Sequence, residues 1–338
     1  MSVAGTRPRG RRLLERIWFG SGVAALPLLP LSALFWVAST LRRLAYRWGV
    51  LPSERLPVPV IVVGNLTVGG AGKTPLVIWL ARHLCDRGLR VGVLSRGYGG
   101  QAREFPLAVT PATDPALAGD EPLLIAERTG CPVVVDPDRV RGGRWLLGNT
   151  PCDLLVADDG LQHYRLRRDL EIAVVDGERR FGNGLLLPAG PLREGRGRLR
   201  TVDLVVVNGG APAPGEHAMR LRAAEVRSLA TPDAGEPIAT WRGRTVHAVA
   251  GIGNPWRFFR MLEGLGLAVD PLPFPDHHAF RPADIDPPGA LPVLMTEKDA
   301  VKCRAFAGAR HWVVPVAAEP DAAFVSRLDA RLSELLDG

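Results

Sequence analysis

Residues 58 to 75 read V-P-V-I-V-V-G-N-L-T-V-G-G-A-G-K-T-P, an apolar β-branched run that passes into a glycine-rich turn ending in Gly-Lys-Thr. The apolar run predicts a buried strand over residues 60–63, and the turn is typical of a phosphate-binding loop. Glycines allow successive backbone N–H groups to point inward at an anion. A helical pattern over residues 76–87 completes the strand–loop–helix context of this motif. The stretch therefore predicts a P-loop nucleotide-binding fold.

The end of this loop supplies two side chains that phosphate chemistry needs. Lys73 is expected to reach the outer phosphates of a nucleotide, and Thr74 to hold a magnesium ion. The strict motif has a glycine five residues before Gly72, where this chain has Thr67. The match is thus irregular, and an ordinary glycine turn with a chance lysine is the alternative. The flanking strand and helix favour the phosphate-binding loop.

Further apolar runs alternate with helical patterns along the chain. They are continuously apolar, which suits strands covered by helices on both faces. We therefore predict an α/β fold built on a doubly wound, mostly parallel sheet, with ligands at the carboxyl ends of its strands. The predicted strands are residues 60–63, 91–94, 133–135, 154–157, 172–175 and 204–207.

A chain of 338 residues, 46% of them hydrophobic, has the length and composition for about two globular domains. Residues 1–50 are predicted to form a basic N-terminus with a membrane-associated helix, and residues 55–235 the P-loop core. Residues 236–338 are predicted to form a smaller α/β domain. This division follows from loop-like stretches, then a strand and a helix, at residues 209–215, 231–237, 245–250 and 255–264.

The N-terminal region contains an uncharged stretch, residues 17–41, flanked by arginines. At about 1.5 Å of rise per residue, this length is enough to span a bilayer. A cleaved signal peptide is disfavoured, because the run is too long and no cleavage site follows it. The basic and aromatic flanks suit an anionic membrane surface. They comprise Arg7, Arg9, Arg11, Arg12, Arg16, Arg42, Arg43 and Arg47, with Trp18, Trp36, Tyr46 and Trp48.

The position of this segment in the membrane stays open between a spanning helix and a helix in the interface plane. Pro27 and Pro30 interrupt the run, and positive charge on both flanks leaves the orientation undecided. Because a phosphate loop must meet ATP, we expect the body of the protein on the cytoplasmic side. The cysteines form no C-x-x-C pair and are expected to be reduced thiols: Cys85, Cys131, Cys152 and Cys303.

Two adjacent acids, Asp158 and Asp159, follow the predicted strand at residues 154–157. A carboxylate delivered by a strand beside a phosphate loop completes the shell of a magnesium ion on the phosphates. A solvated turn is the alternative reading of two acids taken alone. The upstream phosphate loop favours the metal site. Gln162 and His163 follow, and we expect them to face the same cleft.

Phosphoryl transfer to an alcohol also needs a group that accepts the hydroxyl proton. Asp120 and Glu121 form an acidic pair before a helix, and Asp276, His277 and His278 form an acid–imidazole cluster in a proline-rich setting. Each is weak evidence alone, because an aspartate often caps a helix and a loop histidine is usually just exposed. Together with a nucleotide site they suggest an Asp–His pair.

Arg193 and Glu194 end a loop framed by glycine and proline, L-P-A-G-P-L-R-E at residues 187–194. A guanidinium there matches the oxygens of a phosphate. A solvated basic turn is the alternative, because further arginines follow at 196, 198 and 200. Tyr98 and Arg139 follow predicted strands in the same way, so we expect them at the ligand edge of the sheet.

With these motifs in order, the chain resembles the tetraacyldisaccharide 4'-kinases, the lipid A 4'-kinases of Gram-negative bacteria, over nearly its whole length. The irregular loop with Thr67 is typical of this family. The resemblance rests on G-N-L-T-V-G-G-A-G-K-T-P (64–75), S-R-G-Y-G (95–99), G-D-E-P (119–122), D-D-G-L-Q-H (158–163), L-P-A-G-P-L-R-E (187–194), A-G-I-G-N-P (250–255), F-P-D-H-H-A-F (274–280) and T-E-K-D-A-V-K (296–302).

The resemblance implies transfer of the γ-phosphate of ATP to the 4'-hydroxyl of tetraacyldisaccharide 1-phosphate, at the cytoplasmic face of the inner membrane. It implies that Asp120 and His277 form the base pair, with the proton going to Asp120. It also implies that Mg²⁺ is held by Thr74, Asp158 and Asp159. The ATP-binding residues are then Thr67, Val68, Gly69, Gly70, Ala71, Gly72, Lys73 and Thr74. Residues near the nucleotide or lipid head group are then Tyr98, Arg139, Gln162, His163, Arg193 and Glu194.

Two other functions compete with a lipid kinase. A membrane-associated P-loop NTPase that acts as a conformational switch needs the phosphate loop and Asp158, but not Asp120 or His277. A membrane-anchored nucleotide-binding scaffold would keep Lys73 and show no turnover. Nucleic acid is not an expected partner, because the arginines behind the net charge of +7 are spread over loops and the membrane flank without a recognisable nucleic-acid module.

Overall fold

The structure is a computed structural model that describes residues 16–20, 22–231 and 234–336. Four arginines of the predicted basic flank lie outside the described residues: Arg7, Arg9, Arg11 and Arg12. The α-helices are α1 (Leu29–Arg47), α2 (Lys73–Cys85), α3 (Pro115–Ala118), α4 (Asp120–Thr129), α5 (Arg139–Asn149), α6 (Pro255–Gly264), α7 (Glu297–Cys303) and α8 (Ala322–Leu336). Shorter 3₁₀ helices span Gly22–Leu28, Arg196–Thr201, Ile238–Trp241, Pro282–Asp284 and Arg304–Phe306.

The strands of the described residues fall into two sheets. They are β1 (Val60–Gly64), β2 (Val91–Ser95), β3 (Leu107–Val109), β4 (Val133–Val135), β5 (Leu154–Asp158), β6 (Leu170–Asp176), β7 (Leu204–Asn208), β8 (His217–Arg222), β9 (Glu225–Ser228), β10 (Gly235–Pro237), β11 (Thr245–Ala250), β12 (Ala268–Pro273), β13 (Val293–Thr296), β14 (His311–Val314) and β15 (Ala317–Pro320).

The larger sheet, in the described part of the chain, has the order β15-β8-β7-β6-β1-β5-β2-β4-β3. Its strands pair in parallel except at the two edges, where β3 and β15 are antiparallel to their neighbours. Strand β1 lies between β5 and β6, so the chain crosses over it when it passes from one half of the sheet to the other. The predicted doubly wound α/β fold is thus confirmed, and the phosphate loop follows the strand at the switch point.

Apolar side chains explain this arrangement. Strand β1 is buried along its whole length, and a hydrophobic cluster packs against each face of the sheet. Helix α2 contributes Leu76, Leu80 and Leu84 to the first cluster, at the i, i+4 spacing of a buried helix face. Burying one such leucine contributes about 2 kcal/mol of hydrophobic free energy. Covered on both faces, the sheet offers ligands only its edges and strand ends.

A smaller sheet forms the second unit, with the strand order β10-β9-β14-β13-β11-β12. Strands β11, β12, β13 and β14 pair in parallel, while β9 and β10 pair antiparallel to their neighbours. Strand β11 and helix α6 have the bounds that the sequence predicted. The predicted loop at residues 231–237 is partly wrong, because Gly235–Pro237 forms the edge strand β10 by pairing with β9.

Sheet membership divides the chain differently from the predicted boundary between residues 235 and 236. Strand β9 lies before that boundary but belongs to the smaller sheet. Strand β15 returns to the larger sheet, where it pairs with β8, and Phe324 of α8 is fully buried in the cluster beneath that sheet. We therefore propose residues 225–314 as the second unit and define the core unit as residues 54–222 together with residues 317–336.

Helix α1 lies on the core unit and is largely exposed. Ser32 is its buried contact: the hydroxyl donates to the carbonyl of Leu186 at 2.5 Å and accepts the N–H of Ala189 at 3.1 Å. The segment Val23–Arg47 is long and apolar enough to cross a membrane by length and composition, a test that a signal sequence near an N-terminus also passes. Only 11% of the most apolar 18-residue stretch of this segment is buried.

Candidate active site

The loop of residues 65–72 turns directly into α2, so the first N–H groups of the helix face its concave side. Gly72 caps the helix in the left-handed region, with φ of +93°. A Cβ at Gly72 would lie 2.1 Å from Nδ2 of Asn208, an amide that donates to the carbonyl of Ala71 at 3.0 Å. Glycine is therefore required here by both conformation and space, and the loop has the shape that an anion needs.

Lys73 is the first residue of α2 and its ammonium points back over the loop. Nζ donates to Oδ1 of Asn65 at 3.0 Å and lies 3.4 Å from Oδ1 of Asp159. Arg193 approaches the same carboxylate, with Nη1 at 2.9 Å from Oδ2 of Asp159. Burial alone would raise the pKa of Asp159, but the charges of Lys73 and Arg193 hold it well below the usual range. The predicted residues Lys73, Asp159 and Arg193 are thus brought together.

Asp158 ends β5 and is almost completely buried, with both carboxylate oxygens lacking a hydrogen-bond partner. Burial, followed by the charge of Glu121, raises the pKa of Asp158 to about 7. A buried carboxylate without partners is costly unless a cation reaches it. Mg²⁺ prefers one or two carboxylates together with phosphate oxygens, so this donor fits that ion. Among the described residues, no group of three or more acidic, histidine or cysteine side chains is placed to hold a metal ion.

Arg139 holds the strand end that carries Asp158. Its guanidinium donates to the carbonyl of Asp136 and to the carbonyl of Asp158, each at 3.1 Å. Burial lowers the pKa of Arg139 to about 10, so the side chain stays charged at neutral pH. Two of its donors therefore bind backbone, and this side chain fixes the ends of β4 and β5.

Asp120 and His277 meet across the two units. Asp120 begins α4 in the core unit, His277 lies in the loop after β12, and Nδ1 of His277 is 3.2 Å from Oδ2 of Asp120. Burial alone would raise the pKa of Asp120, but the hydrogen bond to His277 and the charge of Lys298 hold it well below the usual range. Burial lowers the pKa of His277, but its hydrogen bond to Asp120 outweighs this, so the net shift is upward.

A cleft of about 1260 Å³ lies between the units and opens at the phosphate loop. His277 lines the cleft, whereas Asp120 lies behind it, 4% exposed. Tyr98 stacks edge-on against His277 with ring centroids 4.9 Å apart. The predicted residues that line the cleft are Val68, Gly69, Gly70, Ala71, Gly72, Lys73, Thr74, Tyr98, Arg139, Asp159, Gln162, His163, Arg193, Glu194 and His277. Three predicted residues are not among those that line the cleft: Thr67, Asp120 and Asp158.

Gln162, Glu194 and His163 form the wall of the cleft on the side of α1. Nε2 of Gln162 donates to Oε2 of Glu194 at 3.1 Å, and the hydroxyl of Tyr164 also contacts Glu194. Burial, together with the charge of Arg139, lowers the pKa of His163 to about 4, so this imidazole is neutral at pH 7. The contacts of Glu194 with Gln162 and Tyr164 hold the segment that carries Arg193.

Several cleft residues were missed by the sequence predictions. Asn208 ends the apolar strand β7 just as Asp158 ends β5, and that position was a usable signal. Lys298 contacts Glu121 across the units, and nothing in the sequence pairs these two positions. A Cβ at Gly253 would lie 2.5 Å from the backbone nitrogen of Gly70, so the second unit approaches the phosphate loop directly.

A sequence model described as tetraacyldisaccharide-1-P 4'-kinase matches residues 24–333. The chain belongs to the tetraacyldisaccharide 4'-kinase family. Proteins named tetraacyldisaccharide 4'-kinase are similar to it: that of Nitrosococcus oceani is 50% identical over 95% of each chain. That of Alkalilimnicola ehrlichii is 54% identical over 91% of this chain and 92% of its own.

A solved structure of the family agrees with the fold. The crystal structure of the "apo" form of LpxK from Aquifex aeolicus in complex with ATP has a TM-score of 0.77 and 30% sequence identity. The match covers 92% of this chain and 99% of that one. Family membership confirms the predicted lipid A kinase over the NTPase switch.

Proposed function

We propose that the chain transfers the γ-phosphate of ATP to the 4'-hydroxyl of tetraacyldisaccharide 1-phosphate, with Asp120 and His277 as the pair that accepts the hydroxyl proton. One observation carries the assignment of roles. The 3.2 Å contact between His277 and Asp120 lies in the wall of the cleft that begins at the phosphate loop. An NTPase switch has no need of such a pair, whereas transfer to an alcohol does.

The loop of residues 67–74 is proposed to bind the phosphates of ATP through its backbone N–H groups. Lys73 stays close to the transferred group, because Asn65 and Asp159 hold its ammonium from two sides. Thr74 and Asp158, with Asp159 beside them, are proposed to hold Mg²⁺, because the two oxygens of Asp158 are buried and have no protein partner. The ion would offset negative charge on the phosphates as ADP leaves.

The chemical step forms a bond between the sugar oxygen and the γ-phosphorus and breaks the bond from that phosphorus to the ADP oxygen. The proton of the hydroxyl passes to the Asp120–His277 pair. His277 is the member that lines the cleft, and Asp120 orients its ring and stabilises its positive charge from behind. Because one member comes from each unit, approach of the second unit to the core is proposed to assemble the pair.

The lipid is proposed to enter along α1. Phe35, Ala38, Ser39 and Arg42 of this helix line the same cleft as the phosphate loop. Arg42 donates to the carbonyl of Gln162 at 3.1 Å, which ties the helix to the cleft wall. The acyl chains of the substrate remain in the bilayer, so we place the exposed apolar side of α1 in the membrane surface and the cleft on its cytoplasmic face.

The direct test is transfer of labelled phosphate from γ-labelled ATP to disaccharide 1-phosphate lipid in detergent micelles. Wild type and Lys73→Met are compared, with Arg55→Met as control, because Arg55 makes an ion pair with Asp169 outside the cleft. We expect labelled lipid from wild type and the control, and at least a 100-fold loss for Lys73→Met, on the order of what phosphate-clamp groups contribute. Hydrolysis of ATP by the wild type without labelled lipid would contradict the proposal.

A further inference from the structure

A buried carboxylate, Asp299, lies beneath the catalytic pair in the motif T-E-K-D-A-V-K of residues 296–302. It is fully buried, and its Oδ2 accepts the N–H of Gly251 at 2.9 Å and the hydroxyl of Thr296 at 2.6 Å. Its Oδ1 lies 3.1 Å from Nζ of Lys302, one turn further along α7. No step of the proposed transfer uses these groups, although a buried charge is retained only with partners of this kind.

Two sets of contacts connect this carboxylate to the pair that accepts the proton. In the first, the ammonium of Lys302 lies 3.1 Å from Asp299 and 3.5 Å from Oδ2 of Asp120. In the second, Gly251 donates its N–H to Asp299, and its carbonyl accepts the N–H of His277 at 3.1 Å. One carboxylate thus anchors both Asp120 and His277.

We propose that Lys302 and Asp299 are positioning residues of the phosphoryl transfer. The buried ion pair keeps Asp120 ionised and within hydrogen-bonding distance of His277 when the two units meet. The inference rests on the proposed roles of Asp120 and His277. It gives a function to the motif at residues 296–302, whose cations lie on the second unit while Asp120 lies on the core.

The charged groups around Asp120 distinguish Lys302 from its neighbours. Oδ2 of Asp120 faces His277 at 3.2 Å and Lys302 at 3.5 Å. The second nearby cation, Lys298, also acts on Asp120 through its charge, but its ammonium contacts Glu121 and not Asp120. Asp276 lies against the far side of His277 at 3.7 Å. Lys302 is also 5.2 Å from the ring centre of Phe280 and its side chain is largely buried, so solvent screens its charge on the carboxylate only weakly. Its removal therefore favours protonation of the pair.

The experiment compares wild type with Lys302→Met, which keeps the length of the side chain, and Lys302→Arg, which keeps the charge. Arg304→Met is the matched control. Arg304, at the end of α7, also forms an ion pair with an acid of the core, Glu127, but this pair lies at the exposed surface. The readouts are kcat, KM for ATP, and the pH dependence of kcat for lipid phosphorylation. Thermal unfolding is recorded for every variant.

For Lys302→Met we expect kcat at neutral pH to fall by roughly tenfold or more, and the acid limb of the pH profile to move up by about one unit. KM for ATP stays within about twofold, because the phosphate loop is untouched, and Lys302→Arg recovers most of kcat. Arg304→Met behaves as wild type. An unchanged kcat and acid limb in Lys302→Met, or an equal loss in Lys302→Arg, would overturn the inference while the wild-type activity still upheld the kinase.

A double variant covers the case in which Lys302→Met does not fold. Removing Lys302 leaves Asp299 as an unpaired buried charge, and Lys302→Met with Asp299→Asn removes both charges of the pair. If the pair positions Asp120, the double variant folds but keeps the low kcat and the shifted acid limb. If Lys302 serves only to neutralise Asp299, the double variant regains the wild-type kcat, and the inference is wrong.

Discussion

Nδ1 of His277 lies 3.2 Å from Oδ2 of Asp120, although Asp120 begins helix α4 of the core unit and His277 lies in a loop of the second unit. His277 adopts a left-handed backbone conformation, with φ of +58°, at the point where its ring faces the aspartate. The contact therefore exists only when the two units lie together. The proton-accepting pair is therefore complete only when both units together form the cleft.

The first prediction concerns the protonation of this pair. The hydrogen bond and charge of Asp120 raise the pKa of His277 against the opposing effect of burial. In Asp120→Asn the carboxylate is lost while burial and the weaker effects of Asp276 and Glu121 remain, so the pKa of His277 should fall from its wild-type value. Titration of the His277 ring by NMR in both proteins measures the two values directly. An unchanged pKa would show that Asp120 does not act on this ring.

The same shift has a consequence for stability. A histidine whose pKa is higher in the folded protein stabilises the fold fully below its unfolded pKa, near 6.5, and loses this contribution as the pH rises through the folded value. Between pH 6 and 8, wild type should therefore lose more stability than His277→Gln. Thermal unfolding of both proteins at several pH values in this range is the measurement, and parallel curves would contradict the prediction.

The second prediction tests the phosphate loop. Gly72→Ala combines a left-handed backbone with a Cβ that would lie 2.1 Å from the amide of Asn208, so Asn208 must move away from the carbonyl of Ala71. We expect ATP affinity to fall by at least about tenfold, because the loop N–H groups then lose the geometry that the phosphates need. Gly88→Ala is the control: its φ is +84°, but a Cβ there meets no atom within 4 Å.

Calorimetric titration with ATP separates the two variants. Gly88→Ala should lose stability by about 1–2 kcal/mol and bind ATP as the wild type does. Equal ATP affinities for the two alanine variants would mean that the left-handed turn and the Asn208 contact do not shape the binding loop.

The third prediction concerns the magnesium site. Asp158→Asn keeps the shape of the side chain and removes the unpartnered buried charge at the end of β5. We expect Mg²⁺ to tighten ATP binding to the wild type, and this effect to drop by on the order of tenfold in the variant. The unfolding temperature in metal-free buffer should not fall, because no protein contact of the carboxylate is lost.

The control for this site is Asp153→Asn. Asp153 lies just before β5 and pairs with Arg90 at the surface, so its loss should leave the response to Mg²⁺ intact. Titration of ATP into each protein with and without Mg²⁺ gives both readouts. A variant Asp158→Asn that still responds fully to Mg²⁺ would place the ion elsewhere.

The fourth prediction tests membrane binding by α1. Leu34, Trp36 and Leu41 are each more than half exposed on this helix. Their triple replacement by serine should weaken binding to anionic lipid vesicles by well over tenfold, since each buried large apolar side chain contributes about 1.5–3 kcal/mol. Vesicle co-sedimentation is the measurement, and Trp145→Ser on α5 is the control. Equal binding by the triple variant and wild type would remove α1 from the membrane contact.

Much of the core unit follows from its sequence, for a physical reason. Buried parallel strands are continuous apolar runs, so β1, β2, β4, β5, β6 and β7 were predicted to within a few residues at either end. Strands β8, β9 and β15 were not predicted, because these strands at or next to a sheet edge carry mixed polar and apolar residues that do not differ from loops. The return of β15 to the larger sheet is a long-range pairing with no local signal.

The site divides in the same way. The phosphate loop and Asp158 lie in local motifs whose chemistry is readable from a few adjacent residues. The meeting of Asp120 and His277 could be suggested from their residue types, but only the packing of two units brings them together. Lys302 and Asp299 lie in a motif without recognisable chemistry, because their effect passes through other residues. Sequence patterns therefore reveal groups that touch ligands more readily than groups that position them.

The most direct test of the central claim is phosphate transfer to disaccharide 1-phosphate lipid by Asp120→Asn and His277→Asn, measured beside ATP affinity in the same preparations. We expect kcat for transfer to fall by about 10²- to 10⁴-fold in each variant, the usual contribution of general base catalysis, with ATP affinity close to that of wild type. Transfer within a few-fold of wild type in both variants would contradict the assignment of the pair as the proton acceptor.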